Sequence, residues 1–268
     1  MPALSANTQR DALPPVKKKQ ILVVEDQPVA AEVVKQILTD LNYEVEIAAN
    51  GSSALHLAKQ KHHDLIFMDI GLPDIDGYEV TRQIRLYEGL SDHKVPIIAL
   101  TAHADRESKE LCLTAGMNAV LTKPLLKKQA AQILEVFLPQ TRNSEIDVFQ
   151  NATTDPSKEE VVNFAIAKSI LGSEEIIKKV LTMLAKNLAE ERSRLDEAHV
   201  KKDWKKIQDI AHKFSGGASY CGALRLKEAC EMLKNCIANN NLALYETYYQ
   251  KMCTEMLAVV QYVENISL

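Results

Sequence analysis

Five short runs of apolar, mostly β-branched residues alternate with amphipathic stretches in the first half of the chain, and that alternation leaves few folds open. Ile21-Leu22-Val23-Val24 is apolar throughout rather than at every second residue, as expected of a strand buried on both faces. Pro28 then suits a first helical turn, and Val29, Val33, Val34, Ile37, Leu38 and Leu41 recur at helical spacing. The pattern repeats as a strand over 44–48, a helix over 51–62, the run Leu65-Ile66-Phe67-Met68 and a helix over 77–87. A strand over 95–100, a helix over 105–115 stopped by Gly116, a strand over 119–121 and a helix over 125–137 complete it. Five strands alternating with helices predict a doubly wound α/β unit, (βα)5, around a parallel sheet.

The rest of the chain reads differently. Pro2, Pro14, Pro15 and Lys17-Lys18-Lys19 predict a disordered tail over 1–18, ahead of the α/β domain at 19–138. The polar stretch 139–157 predicts a linker, long enough for the two parts to move independently. From 158 to 268 there is no proline, and the glycines are Gly172, Gly216, Gly217 and Gly222. One long amphipathic helix carrying Ile177, Val180, Leu181, Leu184, Leu188 and Leu195, with three more over 204–220, 223–237 and 242–265, predicts an antiparallel four-helix bundle with a short helix before it.

Composition excludes several classes. A net charge of -4 gives no electrostatic case for nucleic acid as a partner. No apolar run approaches the roughly 20 residues that span a bilayer, and the first residues lack a signal peptide's apolar stretch. A cytoplasmic protein with no membrane span is expected. The five cysteines include no C-x-x-C, so they read as small apolar helix residues in a reducing compartment. His62-His63 reads as a solvated helix end.

In a doubly wound sheet, sites form at the C-terminal ends of the strands. Glu25-Asp26 ends the first strand, Asp69 the third, Thr101-Ala102 the fourth and Lys123-Pro124 the fifth. Three carboxylates at one point repel unless a cation joins them, and hard oxygen ligands with open positions suit Mg2+. A carboxylate can act as a nucleophile and form an acyl phosphate, and a neighbouring lysine can pair with a carboxylate or a phosphoryl group. These residues stand in Ile21-Leu22-Val23-Val24-Glu25-Asp26, Met68-Asp69-Ile70-Gly71-Leu72-Pro73-Asp74-Ile75-Asp76-Gly77, Ala99-Leu100-Thr101-Ala102 and Leu121-Thr122-Lys123-Pro124. Over about residues 19–138 the chain resembles the receiver domain of two-component response regulators, which has a flavodoxin-like fold. The resemblance implies that Asp69 is the phospho-acceptor and that Asp26, Asp69, Glu25 and the Gly71 carbonyl hold Mg2+. It implies that Thr101 and Lys123 hold the phosphoryl oxygens, that the Lys123-Pro124 bond is cis, and that the domain catalyses its own phosphorylation and dephosphorylation. Val120 stands where receivers often carry an aromatic switch, so a switch there is not expected. Gly71 and His103 occupy positions that tune acyl-phosphate lifetime.

On the helix over 204–220, Ile207, Ile210, Ala211, Phe214 and Ala218 form one apolar stripe. His212 lies about 140° from its centre, with Gln208, Gly216 and Ser219 on the same outer side, so these four are expected to face solvent. Two adjacent glycines inside a helix call for a close approach, of a partner's backbone or a phosphoryl group, to the imidazole. Ala211-His212-Lys213-Phe214-Ser215-Gly216-Gly217, with Gly222 beyond, resembles the histidine-containing phosphotransfer (HPt) family. That resemblance makes His212 the phospho-carrier. Ser215 stands where the family has a phosphate-neutralising lysine, and Lys213, Lys227 and Lys234 are candidates to replace it. Together the two resemblances imply a phosphorelay intermediate without a kinase core, arranged as at the C-terminus of hybrid sensor kinases. Its partners would be a sensor histidine kinase and a downstream response-regulator receiver. The alternative is a phosphate sink or receiver-docking module with little turnover at His212.

Overall fold

The computed structural model describes residues 18–89, 94–102, 105–139 and 160–266. The expected tail up to residue 17, the expected linker from residue 140 and His103 lie outside them.

The first unit is a five-stranded, wholly parallel sheet in the order β2-β1-β3-β4-β5, built from β1 (Gln20–Val24), β2 (Glu44–Ala48), β3 (Leu65–Asp69), β4 (Ile97–Thr101) and β5 (Ala119–Thr122). The apolar runs fall in the middle: Ile21–Val24 pair with 45–48 on one side and with 65–68 on the other. Edge strand β2 keeps Glu44 exposed. The helices are α1 (Pro28–Asp40), α2 (Gly51–Gln60), α3 (Gly77–Glu88), α4 (Arg106–Ala115) and α5 (Lys127–Phe137). Odd and even strand residues feed two cores. Leu22, Val24, Ile66, Met68, Ile97 and Ala99 pack with Val80, Ile84 and Cys112. Ile21, Val23, Phe67, Ile98 and Leu100 pack with α1 and α5 on the other face. Each such side chain contributes about 1.5–3 kcal/mol by leaving water.

The helical unit holds α6 (Phe164–Leu171), α7 (Glu174–Lys201), α8 (Trp204–Tyr220), α9 (Leu224–Ala238) and α10 (Tyr245–Ile266), with a 3-10 turn at Leu242–Leu244. The expected stripe on α8 is buried, from Ile207 to Ala218. All five cysteines are buried and unbridged. His63 departs from expectation. It is buried, with Nε2 3.0 Å from Glu46 Oε2, because strand β2 runs alongside it. Strand β4 also starts at Ile97 rather than residue 95, since Val95 N donates to the Glu88 carboxylate instead of entering the ladder. Among the described residues, no helix is long and apolar enough to cross a membrane.

The two units share one core. Val29, Val33 and Leu125 of the first belong to the same buried cluster as Leu184, Phe214 and Tyr220 of the second. Helix α1 therefore packs on α7 and α8, and Lys179 adds an ion pair to Glu32 at 2.6 Å. The independent movement read from the linker is not the arrangement of this structure, because apolar α1 residues find their cover on the bundle.

Candidate active site: an acidic pocket facing a histidine

Parallel strands bring their C-terminal ends to one rim, and the pocket lies there. Asp69 ends β3 and is buried, as is Glu25 just beyond β1. Oxygens of Glu25, Asp26 and Asp69 lie within 4.8 Å of one another. Lys123 Nζ reaches Glu25 Oε2 and Asp69 Oδ2, each at 2.7 Å, across a cis Lys123-Pro124 bond. The Lys123 amide donates to the Thr101 carbonyl at 2.8 Å, and Gly71 N donates to Asp69 Oδ1 at 3.2 Å. The β3–α3 loop is anchored from both sides. Asp74 accepts from Gly51 N and Ser52 N, while a Cβ on Gly77 would collide with the Asp69 carbonyl. Asp76 caps α3 by accepting from Glu79 N at 2.7 Å.

Helix α8 delivers His212 to this rim. Asp203 caps its start by accepting from Lys206 N, and the apolar stripe turns toward the bundle, so His212 points out of it. It does not point into water. His212 is half-buried, with Nε2 3.3 Å from where a Cβ on Gly71 would stand. Gln208 and Gly216 are half-buried too, and Ser219 is buried with its hydroxyl donating to the Gly216 carbonyl at 2.6 Å. The expected solvent face of α8 is therefore corrected: it is outward from the bundle stripe, but Gly71 and Gln27 of the α/β unit lie against His212 and Gly216, and Gln208 donates to the Lys234 carbonyl of α9. Gly216 makes the approach possible, since a Cβ there would collide with the side-chain amide of Gln27, itself buried. A Gly216→Val chain should keep its bundle but lose docking. Overpacking of this kind typically costs about 1–3 kcal/mol, which lowers the docking equilibrium constant roughly 5- to 150-fold. A larger radius of gyration by small-angle scattering, at unchanged helicity, checks it.

The candidate lysines separate. Lys234 Nζ lies 2.9 Å from His212 Nδ1. Lys213 instead pairs with Glu191 at 2.9 Å, and Lys227 with Glu231 at 3.8 Å. Ser215 is buried, its hydroxyl donating to Glu231 at 3.3 Å.

Comparison with known proteins supplies the family. Residues 21–135 match the response regulator receiver domain, and residues 179–265 match the Hpt domain. The chain is a receiver domain followed by an Hpt domain. It is similar to the sensor protein GacS of Pseudomonas syringae pv. syringae, 29% identical over 241 residues, which cover 86% of this chain and 26% of that protein. It is similar also to the signal transduction histidine-protein kinase BarA of Escherichia coli K12, 28% identical over 257 residues, 92% of this chain and 26% of the relative. The chain thus spans about a quarter of the length of these relatives. Among solved structures, the magnesium-bound receiver domain of the sensor histidine kinase PA1611 from Pseudomonas aeruginosa PAO1 is 41% identical. It covers 45% of this chain and 98% of its own, at a TM-score of 0.42.

Electrostatics in the receiver pocket follow from burial. Desolvation, with Asp69 and Asp26 adding repulsion, pushes Glu25 up to about 8 against the pull of Lys123. Asp26 rises to about 6, by burial and by Asp69. Burial alone would lower Lys123, but Glu25 and Asp69 outweigh it and raise its pKa. Burial and then Lys234 lower the pKa of His212 in the Hpt domain. Glu25 Oε1 and Asp26 Oδ1 are buried without a hydrogen-bond partner among the described residues. Orphaned carboxylate oxygens beside a third carboxylate fit a hard divalent cation.

Reading the sequence missed two residues that join the receiver to the Hpt domain, Gln27 and Tyr220. Tyr220 had a usable signal. It lies about 140° from the apolar stripe of α8, on its far side, where an aromatic needs cover from outside the bundle.

Proposed function

We propose that the chain is a phosphorelay intermediate in which Asp69 and His212 exchange a phosphoryl group. The observation that carries this reading is His212 Nε2, on a helix of the same chain, 3.3 Å from where a Cβ would stand on Gly71, two residues beyond the Lys123-paired Asp69. Glu25, Asp26, Asp69 and the Gly71 carbonyl would hold Mg2+, which supplies positive charge for the phosphoryl oxygens when bound. Lys123 and Thr101 hold those oxygens from the other side. Nε2 of neutral His212 attacks phosphorus of the Asp69 acyl phosphate. As the N–P bond forms, the P–O bond breaks and its electron pair returns to the Asp69 carboxylate. Nε2 attacks with its lone pair, so the imidazole hydrogen is then on Nδ1, the atom 2.9 Å from Lys234 Nζ. The reverse transfer retraces these steps. A sensor histidine kinase supplies the group and a separate receiver collects it. The test is to offer phosphorylated kinase and Mg2+ to the wild type, Asp69→Ala and His212→Ala chains. Equal delivery of label to a downstream receiver by all three would reject the reading.

Mg2+ binding has a predictable pH dependence. The carboxyls must be ionised to bind a cation, and both Glu25 and Asp26 hold protons unusually high. Raised acid pKa values mean that the folded state binds more protons than the unfolded one, so these groups cost stability as pH rises through the interval up to about 6 for Asp26 and about 8 for Glu25. Cation binding relieves that cost. The gain in Tm on adding Mg2+ should therefore be small at about pH 5.5 and grow toward about pH 8. Thermal denaturation with and without Mg2+ measures it; a constant gain would contradict the assigned ligands.

A further inference from the structure

Tyr220 is fully buried although its own helix turns it away from the bundle core. The receiver covers it. Its hydroxyl accepts a hydrogen bond from the backbone N–H of Leu125 at 3.0 Å, and Leu125 is also fully buried. Leu125 stands two residues after Lys123, ahead of the first turn of α5. The loop carrying Lys123 is therefore held at two points. On the receiver side, Lys123 N donates to the Thr101 carbonyl; on the Hpt side, Leu125 N donates to Tyr220. A buried amide must find an acceptor, and where the Hpt domain covers Leu125 the Tyr220 hydroxyl is that acceptor. Because Leu125 follows Lys123 by two residues, the contact is made beside the pocket.

We propose that Tyr220 is a positioning residue for phosphoryl exchange, a latch by which docking of the Hpt domain aligns the Lys123 loop over the Asp69 site. This rests on the phosphorelay reading above and adds to it. Lys123 is the cation paired with Asp69, and the loop that carries it is tied to the Hpt domain at Leu125. An Hpt domain without a hydroxyl at this point would dock against an unsatisfied Leu125 N–H. The latch thus favours partners that carry one.

Tyr220→Phe in the full chain is the test, because it keeps the ring and removes the acceptor. Amide hydrogen exchange is read without phosphate, and label transfer from Asp69 to His212 is read with acetyl phosphate and Mg2+. Expected are faster exchange at Leu125, unchanged exchange along α1, and transfer slowed roughly ten- to a hundredfold, the range for an orphaned buried donor. Label uptake by Asp69 in a His212→Gln background separates loading from transfer. Unchanged exchange at Leu125, or unchanged transfer, overturns the proposal. So does equal loss of protection along α1, which would make Tyr220 a docking contact only. A wild type that moves no label to His212 rejects the phosphorelay reading instead, and the Leu125 exchange still decides whether the latch exists.

Discussion

A His212→Gln chain takes label at Asp69 from acetyl phosphate and Mg2+ but passes none of it on. The amide can fill the imidazole's place beside Gly71, and its oxygen can accept from Lys234, so docking survives. It has no nucleophilic nitrogen lone pair. Removing the attacking group of a covalent transfer costs on the order of 10^4-fold or more. The two phosphoryl linkages differ in hydrolysis, which makes the result easy to read. Phospho-histidine survives alkali and is lost in acid, whereas an aspartyl acyl phosphate is lost in alkali. Wild-type chains should show both pools, with the alkali-stable pool growing at the expense of the other. The variant should show only the alkali-labile pool. Persistent alkali-stable label would place the carrier histidine elsewhere.

Lys123→Met should have the second largest effect, on both chemistry and stability. Lys123 is nearly buried, and its ammonium touches Glu25 and Asp69 at once. Methionine keeps most of the stem and leaves two buried carboxylates without their cation. Breaking a buried pair from one side costs about 3–5 kcal/mol. The sign with pH is fixed by Glu25. Lys123 is what holds its raised pKa down to about 8, so without the lysine Glu25 stays protonated to higher pH. The part of the deficit owed to Glu25 is therefore absent while that carboxyl is neutral with or without the lysine, and it grows as pH rises above about 8, where the wild-type carboxyl ionises and the variant's does not. Mg2+ should recover much of it, because the cation replaces the missing charge. Label transfer should not recover with it. Loss of a preorganised cation at the developing charge costs roughly 10^2- to 10^3-fold in rate. Urea denaturation at two pH values, with and without Mg2+, checks the first half. Single-turnover label transfer checks the second. Full transfer activity in the variant would remove Lys123 from the site.

The α/β half was legible because its signals are local and redundant. A strand such as Ile21–Val24, apolar at every position, can only be interior, and each run ends at a residue that parallel topology must carry to the same rim. The order along the chain thus placed Asp69, Asp26, Glu25 and Lys123 together, and in the fold the three carboxylates lie within 4.8 Å of one another, with Lys123 paired to Glu25 and Asp69. The stripe on α8 likewise told which side of the helix faces the bundle.

Periodicity says nothing about what lies beyond an element's outer side. His212, Gln208, Gly216 and Ser219 read as solvated because their own helix leaves them outside its stripe, yet Gly71 and Lys234 lie against His212, Gln27 against Gly216, and the Lys234 carbonyl accepts from Gln208. His63 read as a helix end and is buried against β2 for the same reason. Gln27 gave no signal, since its meeting with Gly216 joins residues far apart in the chain. The order of residues thus dictated both folds and the membership of the acidic pocket. Whether the pocket meets water or an imidazole was decided by apolar area on α1 and around Tyr220, which each unit can bury only against the other.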